Sequence, residues 1–119
     1  YDRTAMQAGA GMAVWARTAT GCRLGADGAG APGRRSEWIG RRVAGELIAD
    51  LASGATADRH AADMLVPWAA FARGESLWRA PRATEHLTTN LWLVSELGTR
   101  VRLDGATAVV EGLSLPAPD

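Results

Sequence analysis

Two early segments of the chain space their apolar residues three and four apart, as an amphipathic helix with one buried face requires. The first, residues 36–51, has Ser36 as its expected N-cap and Gly54 as its stop. Arg42 and Glu46 lie one turn apart and are expected to form an ion pair. The apolar stripe, which we expect to pack in the core, consists of Trp38, Ile39, Val43, Leu47, Ile48 and Leu51.

The second segment predicts a helix that begins near Asp58 and runs to about residue 73, where Gly74 interrupts it. Asp58 can serve as the N-cap, because its carboxylate can accept hydrogen bonds from the free N–H groups of the first turn. Pro67 lies inside the pattern. Since proline lacks a backbone N–H, we expect it to kink the helix or to end its first half.

Strand patterns occupy much of the remaining sequence. Branched and aromatic residues favour a strand at 12–19, and a run rich in Gly, Ala and Pro predicts a loop at 26–33. Asp104-Gly105 is a good turn dipeptide for a hairpin. The predicted strands are residues 12–19, 22–25, 76–80, 100–103 and 107–111. Strands and helices in this order predict an α+β fold with helices packed against sheets.

Composition excludes several kinds of chemistry. The net charge is zero and 47% of the residues are hydrophobic, so a globular core is expected and a general attraction to nucleic acid is not. All 13 basic residues are arginine, which excludes a Walker-type lysine and a lysine nucleophile within this segment. Cys22 stands alone and cannot form an internal disulfide. No run of about 18 apolar residues is present, so we expect a cytoplasmic protein without a membrane anchor.

The third helical segment, residues 84–98, places His86 in its first turn, behind Thr84 as the N-cap. Leu87, Leu91 and Val94 follow at helical spacing. A helix N-terminus carries partial positive charge and free N–H groups, which disfavour protonation of an imidazole and can hold a phosphate. His86 therefore fits a nucleophile for nucleotidyl transfer, although a surface or capping histidine is the commoner outcome at such a position.

Two blocks resemble the RNA 3'-terminal phosphate cyclase family. The block EHLTTN at residues 85–90 is similar to the family's His-x-x-Thr-Asn type of signature. The block GATADRHAADML at 54–65 is similar to the family's block of Val-Asp, Tyr or His, and Ala-Asp-Gln before an apolar helix. The spacing between the blocks also resembles the family, and weaker similarity extends from Gly9 to Glu37.

The resemblance implies a particular fold. Family members combine a large domain of repeated β-α units, akin to enolpyruvyl-transferases, with a smaller inserted domain. Residues 1–53 resemble the C-terminal half of the inserted domain, and residues 54–119 resemble the last section of the large catalytic domain. The family's N-terminal part has no counterpart here, and Tyr1 stands where a natural start would have Met, so we expect a C-terminal fragment that needs that missing part as its partner.

The resemblance also implies a reaction. His86 would take AMP from ATP, the AMP would pass to the 3'-phosphate of an RNA end, and the neighbouring 2'-hydroxyl would close a 2',3'-cyclic phosphodiester. ATP and a divalent cation, Mg²⁺ or Mn²⁺, are the expected cofactors.

Further site residues follow from the matched blocks. Asp63 is expected either to orient the imidazole or to contact the nucleoside, and His60, one turn earlier, to stack on the adenine. Met64 stands where the family usually has glutamine, and methionine cannot donate amide hydrogen bonds. Thr89 and Asn90 are possible phosphate or RNA contacts, although hydroxyls inside helices often bond back to the preceding turn.

Arginine and tryptophan side chains offer weaker hypotheses. Arg34, Arg35 and Arg82 could contact RNA phosphates, but solvated surface arginine is the better expectation for each. Trp38, Trp68, Trp78 and Trp92 could stack on bases, but their spacing favours core packing.

Two other functions remain open at this point. One is a noncatalytic cyclase-like protein that binds RNA or assists ribosome assembly, which the presence of His86 disfavours. The other is an inactive fragment, whose uncovered apolar faces would lower its stability or make it self-associate.

Overall fold

A computed structural model describes residues 9–114 and has an α+β architecture of two antiparallel sheets and three helices. None of the helices in this range has the length and apolar character needed to cross a lipid bilayer. In chain order the elements are β1 (Gly11–Arg17), β2 (Arg23–Ala29), α1 (Ser36–Ala52), α2 (Ala61–Phe71), β3 (Glu75–Arg79), α3 (Glu85–Glu96), β4 (Arg100–Asp104) and β5 (Thr107–Glu111).

The first sheet is a β1–β2 hairpin covered on one face by α1. Its register runs from Gly11 opposite Ala29 to Arg17 opposite Arg23. The expected strand at 22–25 therefore begins one residue later and continues through the first half of the expected loop at 26–33. The small residues of that run lie in β2 because α1 packs closely on them: a Cβ on Gly28 would overlap the Arg42 guanidinium. The small core here contains Ala26, Ile39 and Val43, with Val14 and Leu47 packed against it.

Helix α1 differs in detail from its pattern. Arg35 occupies the N-cap position and offers no side-chain cap, while Ser36 is the first helical residue. Trp38 and Ile48, expected in the buried stripe, are exposed, whereas Asp50 is only 1% exposed. The hairpin beneath α1 is too narrow to cover the full stripe. The stop is confirmed, since Gly54 follows the helix at a φ of 72°.

The second sheet has the order β3-β5-β4, with β5 in the centre. Asp104 pairs with Thr107, so the β4–β5 hairpin closes through the two residues Gly105 and Ala106. Gly105 has a φ of 56°, which favours glycine at the first position of such a turn. Helices α2 and α3 cover one face of this sheet. The larger core lies between them and includes Val66, Trp78, Leu87, Leu91 and Val110.

Helix α2 begins and ends inside its expected limits. His60, not the expected Asp58, occupies the N-cap position and offers no side-chain cap. Asp58 lies two residues earlier, and its Oδ1 accepts hydrogen bonds from the N–H groups of His60 (3.1 Å) and Ala61 (2.8 Å). The helix ends at Phe71, two residues before the expected end. Pro67 lies within the continuous helix and does not end it.

Candidate functional site

Helices α2 and α3 border an open cavity of about 520 Å³. This size falls in the range of small-molecule sites, roughly 300–1,000 Å³. The cavity brings together five of the site residues expected from the sequence, namely His60, Asp63, Met64, His86 and Asn90. Thr89, the sixth, is exposed on α3 and does not border the cavity.

His86 is the second residue of α3, and its side chain is exposed. Thr84 caps the helix as expected, with its Oγ1 accepting a hydrogen bond from the N–H of Leu87 at 3.0 Å. Within residues 9–114, the backbone N–H groups of Glu85 and His86 have no hydrogen-bond partner. Two free donors and the positive end of the helix therefore lie beside the imidazole, an arrangement suited to binding an anion such as phosphate.

Asp63 connects α2 to α3 through both its side chain and its backbone. Its Oδ1 accepts a hydrogen bond from Thr84 Oγ1 at 2.9 Å, and its carbonyl oxygen accepts one from Asn90 Nδ2 at 3.1 Å. The carboxylate thus orients the N-cap hydroxyl of α3. Direct orientation of the imidazole, or contact with a nucleoside, stays a prediction.

His60 and Met64, the other two residues expected to contact the nucleotide, both have exposed side chains. His60 is exposed immediately before α2, and Met64 is 68% exposed on the cavity side of that helix. The Thr88 hydroxyl lies within hydrogen-bond distance of the carbonyls of Thr84 (3.1 Å) and Glu85 (3.0 Å), so it bonds back to its own helix.

Asp50 and Arg59 form an ion pair that the sequence did not indicate, and this pair fixes the segment before α2. Asp50 accepts hydrogen bonds from the backbone N–H of Arg59 at 3.0 Å and from its guanidinium at 2.6 Å. These side-chain hydrogen bonds raise the pKa of Arg59, while burial acts in the opposite direction. Asp50 lies on the buried side of α1, where a carboxylate needs such a partner. A charged position within an otherwise apolar helix face was the available signal.

The three arginines considered as phosphate contacts, Arg34, Arg35 and Arg82, are all exposed at the surface. Arg34 and Arg42 hold their guanidiniums 5.2 and 5.8 Å from the centre of the Trp38 ring. Arg35 lies 3.6 Å from Glu37, and Arg82 is exposed.

Of the four tryptophans assigned to the core, Trp78 alone is buried, and its Nε1 donates to the Ala62 carbonyl at 3.1 Å. Trp38, Trp68 and Trp92 are exposed, which corrects that expectation. Each occupies a helix face that no described element covers.

A metal site built from this part of the chain is not supported. Within residues 9–114, no group of three or more His, Cys, Asp or Glu side chains is placed to hold a metal ion.

Comparisons with known proteins identify the family. A sequence model described as RNA 3'-terminal phosphate cyclase (RTC), insert domain, matches residues 2–52. The RNA 3'-terminal phosphate cyclase of Hyperthermus butylicus is 47% identical over 89 residues, which cover 75% of this chain and 24% of the relative. That of Thermococcus onnurineus is 43% identical over 98 residues, covering 82% and 28%. That of Pyrobaculum neutrophilum is 37% identical over 113 residues, covering 91% and 33%.

The chain thus spans about a quarter to a third of the length of these relatives. Their matches continue beyond the insert-domain segment, because each covers more of the chain than residues 2–52 provide. The chain belongs to the RNA 3'-terminal phosphate cyclase family.

Proposed function

We propose that this chain forms part of an ATP-dependent enzyme that converts an RNA 3'-terminal phosphate to a 2',3'-cyclic phosphodiester, with His86 as the nucleophile. The observation that carries the proposal is the exposed imidazole beside two unpaired backbone N–H groups, at the edge of a cavity that also contains His60 and Asp63. The names of the relatives add the substrate class, an RNA end with a 3'-phosphate.

The chemistry divides one difficult displacement into three transfers. A ring nitrogen of His86 forms a bond to the α-phosphorus of ATP, and pyrophosphate leaves with the electrons of the broken P–O bond. An oxygen of the RNA 3'-phosphate then takes the AMP, which breaks the N–P bond and restores the imidazole. Finally the 2'-hydroxyl oxygen attacks the 3'-phosphorus, loses its proton to solvent, and releases AMP.

The other residues around the cavity would have separate roles in binding ATP and RNA. The free N–H groups of Glu85 and His86 would donate to phosphate oxygens, as at other helix N-termini. His60 would stack on the adenine, and Asp63 would hold the start of α3 and contact the nucleoside. Met64 would add apolar surface where the related proteins usually place an amide. Thr89 would meet RNA outside the cavity.

The size of the cavity, and its combination of apolar walls with anion-binding donors, support ATP as the ligand. A divalent cation would come with the triphosphate, since residues 9–114 contain no ligand cluster for a metal ion. The remaining nucleotide contacts would come from the N-terminal part of an enzyme of this kind. A cytoplasmic location goes with the use of ATP and RNA.

We also propose the domain division that goes with this activity. Residues 1–53 would belong to the inserted small domain, and residues 54–119 to the last section of an enolpyruvyl-transferase-like large domain. Two separate hydrophobic cores support the division, one between β2 and α1 and one among α2, α3 and the second sheet.

The test is transfer of label from α-labelled ATP to the protein. The chain is used alone and together with the N-terminal part of the Thermococcus onnurineus relative, which supplies the remainder of the proposed enzyme. We expect label that is lost in acid and retained in base, as a phosphoramidate requires. RNA with a 3'-phosphate should then remove the label and become resistant to phosphatase.

The two histidines of the chain provide the matched control. His86→Ala should abolish labelling, while His60→Ala should weaken ATP binding and leave labelling possible at high ATP concentration. Label that persists in His86→Ala, or a wild-type chain that takes no label in either arrangement, would disprove the nucleophile.

A further inference from the structure

Pro67 leaves one carbonyl of α2 without its helical hydrogen bond. In an α-helix each N–H donates to the carbonyl four residues earlier, and proline has no N–H to donate. The carbonyl concerned is that of Asp63, in the helix wall of the cavity. Such an orphaned acceptor costs stability unless another donor reaches it.

Asn90 supplies the missing donor from the neighbouring helix. Its Nδ2 lies 3.1 Å from the Asp63 carbonyl oxygen, and the side chain is half-buried between α2 and α3. Asn90 lies one turn after His86 on the same face of α3, and both side chains border the cavity. The hydrogen bond therefore fixes the part of α3 that carries the imidazole.

A second bond anchors α3 to the same residue of α2. Thr84 Oγ1 donates to Asp63 Oδ1 at 2.9 Å, two positions before His86. His86 thus lies between two hydrogen bonds that both end on Asp63. Two anchors on one residue restrain both the sliding of α3 along α2 and its rotation about its own axis.

We propose that Asn90 is a positioning residue that works through the carbonyl freed by Pro67, and that the pair sets the place of His86 relative to α2. The placement of His86 matters for catalysis only if the proposed function is right, and this part of the inference rests on it. The coupling between Pro67 and Asn90 does not depend on any activity. It reassigns Asn90 from a phosphate contact to a helix anchor.

The first test is a double-mutant cycle on the folding equilibrium constant, measured by urea denaturation of the full chain. Asn90→Ala should lower the constant about tenfold, because it leaves a half-buried carbonyl unpaired. In a Pro67→Ala background the same substitution should cost less than about twofold, since the N–H of the new alanine can serve that carbonyl. Thr89→Ala, at the exposed neighbouring position, should change the constant by the same small factor in both backgrounds. Equal losses from Asn90→Ala in the two backgrounds would overturn the proposal.

A second readout observes the hydrogen bond directly. Asn90 is the sole asparagine of the chain and Gln7 the sole glutamine, so NMR of side-chain amides gives two pairs of signals, which Asn90→Ala assigns. One Asn90 amide proton should exchange slowly with solvent in the native chain and rapidly in Pro67→Ala. Fast exchange in the native chain would overturn the proposal even if both variants were unstable.

Labelling by ATP separates anchoring from phosphate contact. If Asn90 acts as an anchor, Asn90→Ala slows His86 labelling less in the Pro67→Ala background than in the native one. If Asn90 binds phosphate, the loss is the same in both, which would overturn the proposal. Absence of labelling in every variant would instead count against the proposed function, and the folding cycle and amide exchange would still decide the role of Asn90.

Discussion

At the residue scale, Met64 gives the cavity no strong hydrogen-bonding group. Met64 is largely exposed on the cavity wall, in the block whose sequence resembles the family's Ala-Asp-Gln pattern. A thioether provides dispersion contacts but no strong hydrogen bond, whereas an amide has two donors and an acceptor. The exposure of Met64 means that a polar side chain can replace it without disturbing the core.

Substituting Met64→Gln is therefore expected to strengthen ATP binding at this cavity. One added hydrogen bond corresponds to roughly 0.5–1.5 kcal/mol, or about two- to tenfold in the dissociation constant. Titration calorimetry with ATP measures the effect in the same protein arrangement as the labelling experiment.

Leu65→Gln is the matched control, because Leu65 is the next residue of α2, is also exposed, and does not border the cavity. Equal affinity changes for the two substitutions would show that Met64 has no particular contact with the nucleotide.

At the scale of elements, two adjacent residues attach the start of α2 to the first sheet and its helix. Asp58 Oδ2 accepts a hydrogen bond from the N–H of Gly25 in β2 at 3.0 Å, while Asp58 Oδ1 caps the first turn of α2. The Arg59 guanidinium pairs with Asp50 at the end of α1 and also lies 3.3 Å from the Glu46 carbonyl. The start of α2, which borders the cavity, is therefore fixed by contacts with β2 and α1.

The Asp50–Arg59 pair should respond unequally to removal of its two members. Arg59→Ala leaves a buried carboxylate without its charged partner and should cost about 3 kcal/mol of unfolding free energy. Asp50→Ala leaves an arginine that is already partly in contact with water, so it should cost less, about 1–2 kcal/mol. Urea denaturation at 25 °C measures both.

The pH dependence of this loss follows from the raised pKa of Arg59. A group with a raised pKa in the folded state stabilises fully below its unfolded pKa and stops doing so only as the pH rises through the folded value. The cost of Arg59→Ala should therefore be the same at pH 7 and pH 9. Arg100→Ala, which breaks the exposed pair with Glu111, should have no measurable effect. Similar losses for Arg100→Ala and Arg59→Ala would contradict the importance of burial.

At the scale of the whole molecule, α2 and α3 expose many large apolar side chains. Large hydrophobic side chains are exposed along both helices, at Met64, Leu65, Trp68, Phe71, Trp92, Leu93 and Leu97. Trp68 is 76% exposed. Exposed apolar side chains in this number indicate an interaction face or a tendency to associate.

We therefore expect the isolated chain to self-associate as its concentration rises. Sedimentation equilibrium should give an average mass that increases above that of the monomer, and Phe71→Gln should reduce the increase. Ile48→Gln is the control, because Ile48 is also a large exposed hydrophobic residue but lies on α1. A monomer at all concentrations would contradict this expectation.

Local patterns predicted the elements well, because short-range spacing and turn chemistry decide them. Leu87, Leu91 and Val94 are buried as their spacing required, and Thr84 caps α3. The Arg42–Glu46 ion pair was expected from its one-turn spacing and has an N–O distance of 2.8 Å. The pattern failed at Trp38, where burial depends on whether another element covers the helix face.

The same distinction between local patterns and tertiary packing applies to the candidate site. The sequence by itself determined that His86 lies in the first turn of a capped helix, since capping and helical spacing are local properties. Two matched blocks also indicated the family. Local reasoning expected Pro67 to kink or end α2 and could not predict that Asn90 supplies the missing donor, because that contact joins separate helices.

What only the tertiary structure decided is which partners meet across the chain. Asp50 is buried because α1 turns it toward Arg59, nine residues later. Asp63 is held by Asn90 of α3 and by Thr84, the N-cap of that helix. Hydrogen bonds between distant residues depend on how elements pack, and a local pattern contains no information about that packing. The sequence therefore specified His86 and the helix that carries it, while packing between helices specified where that side chain is held.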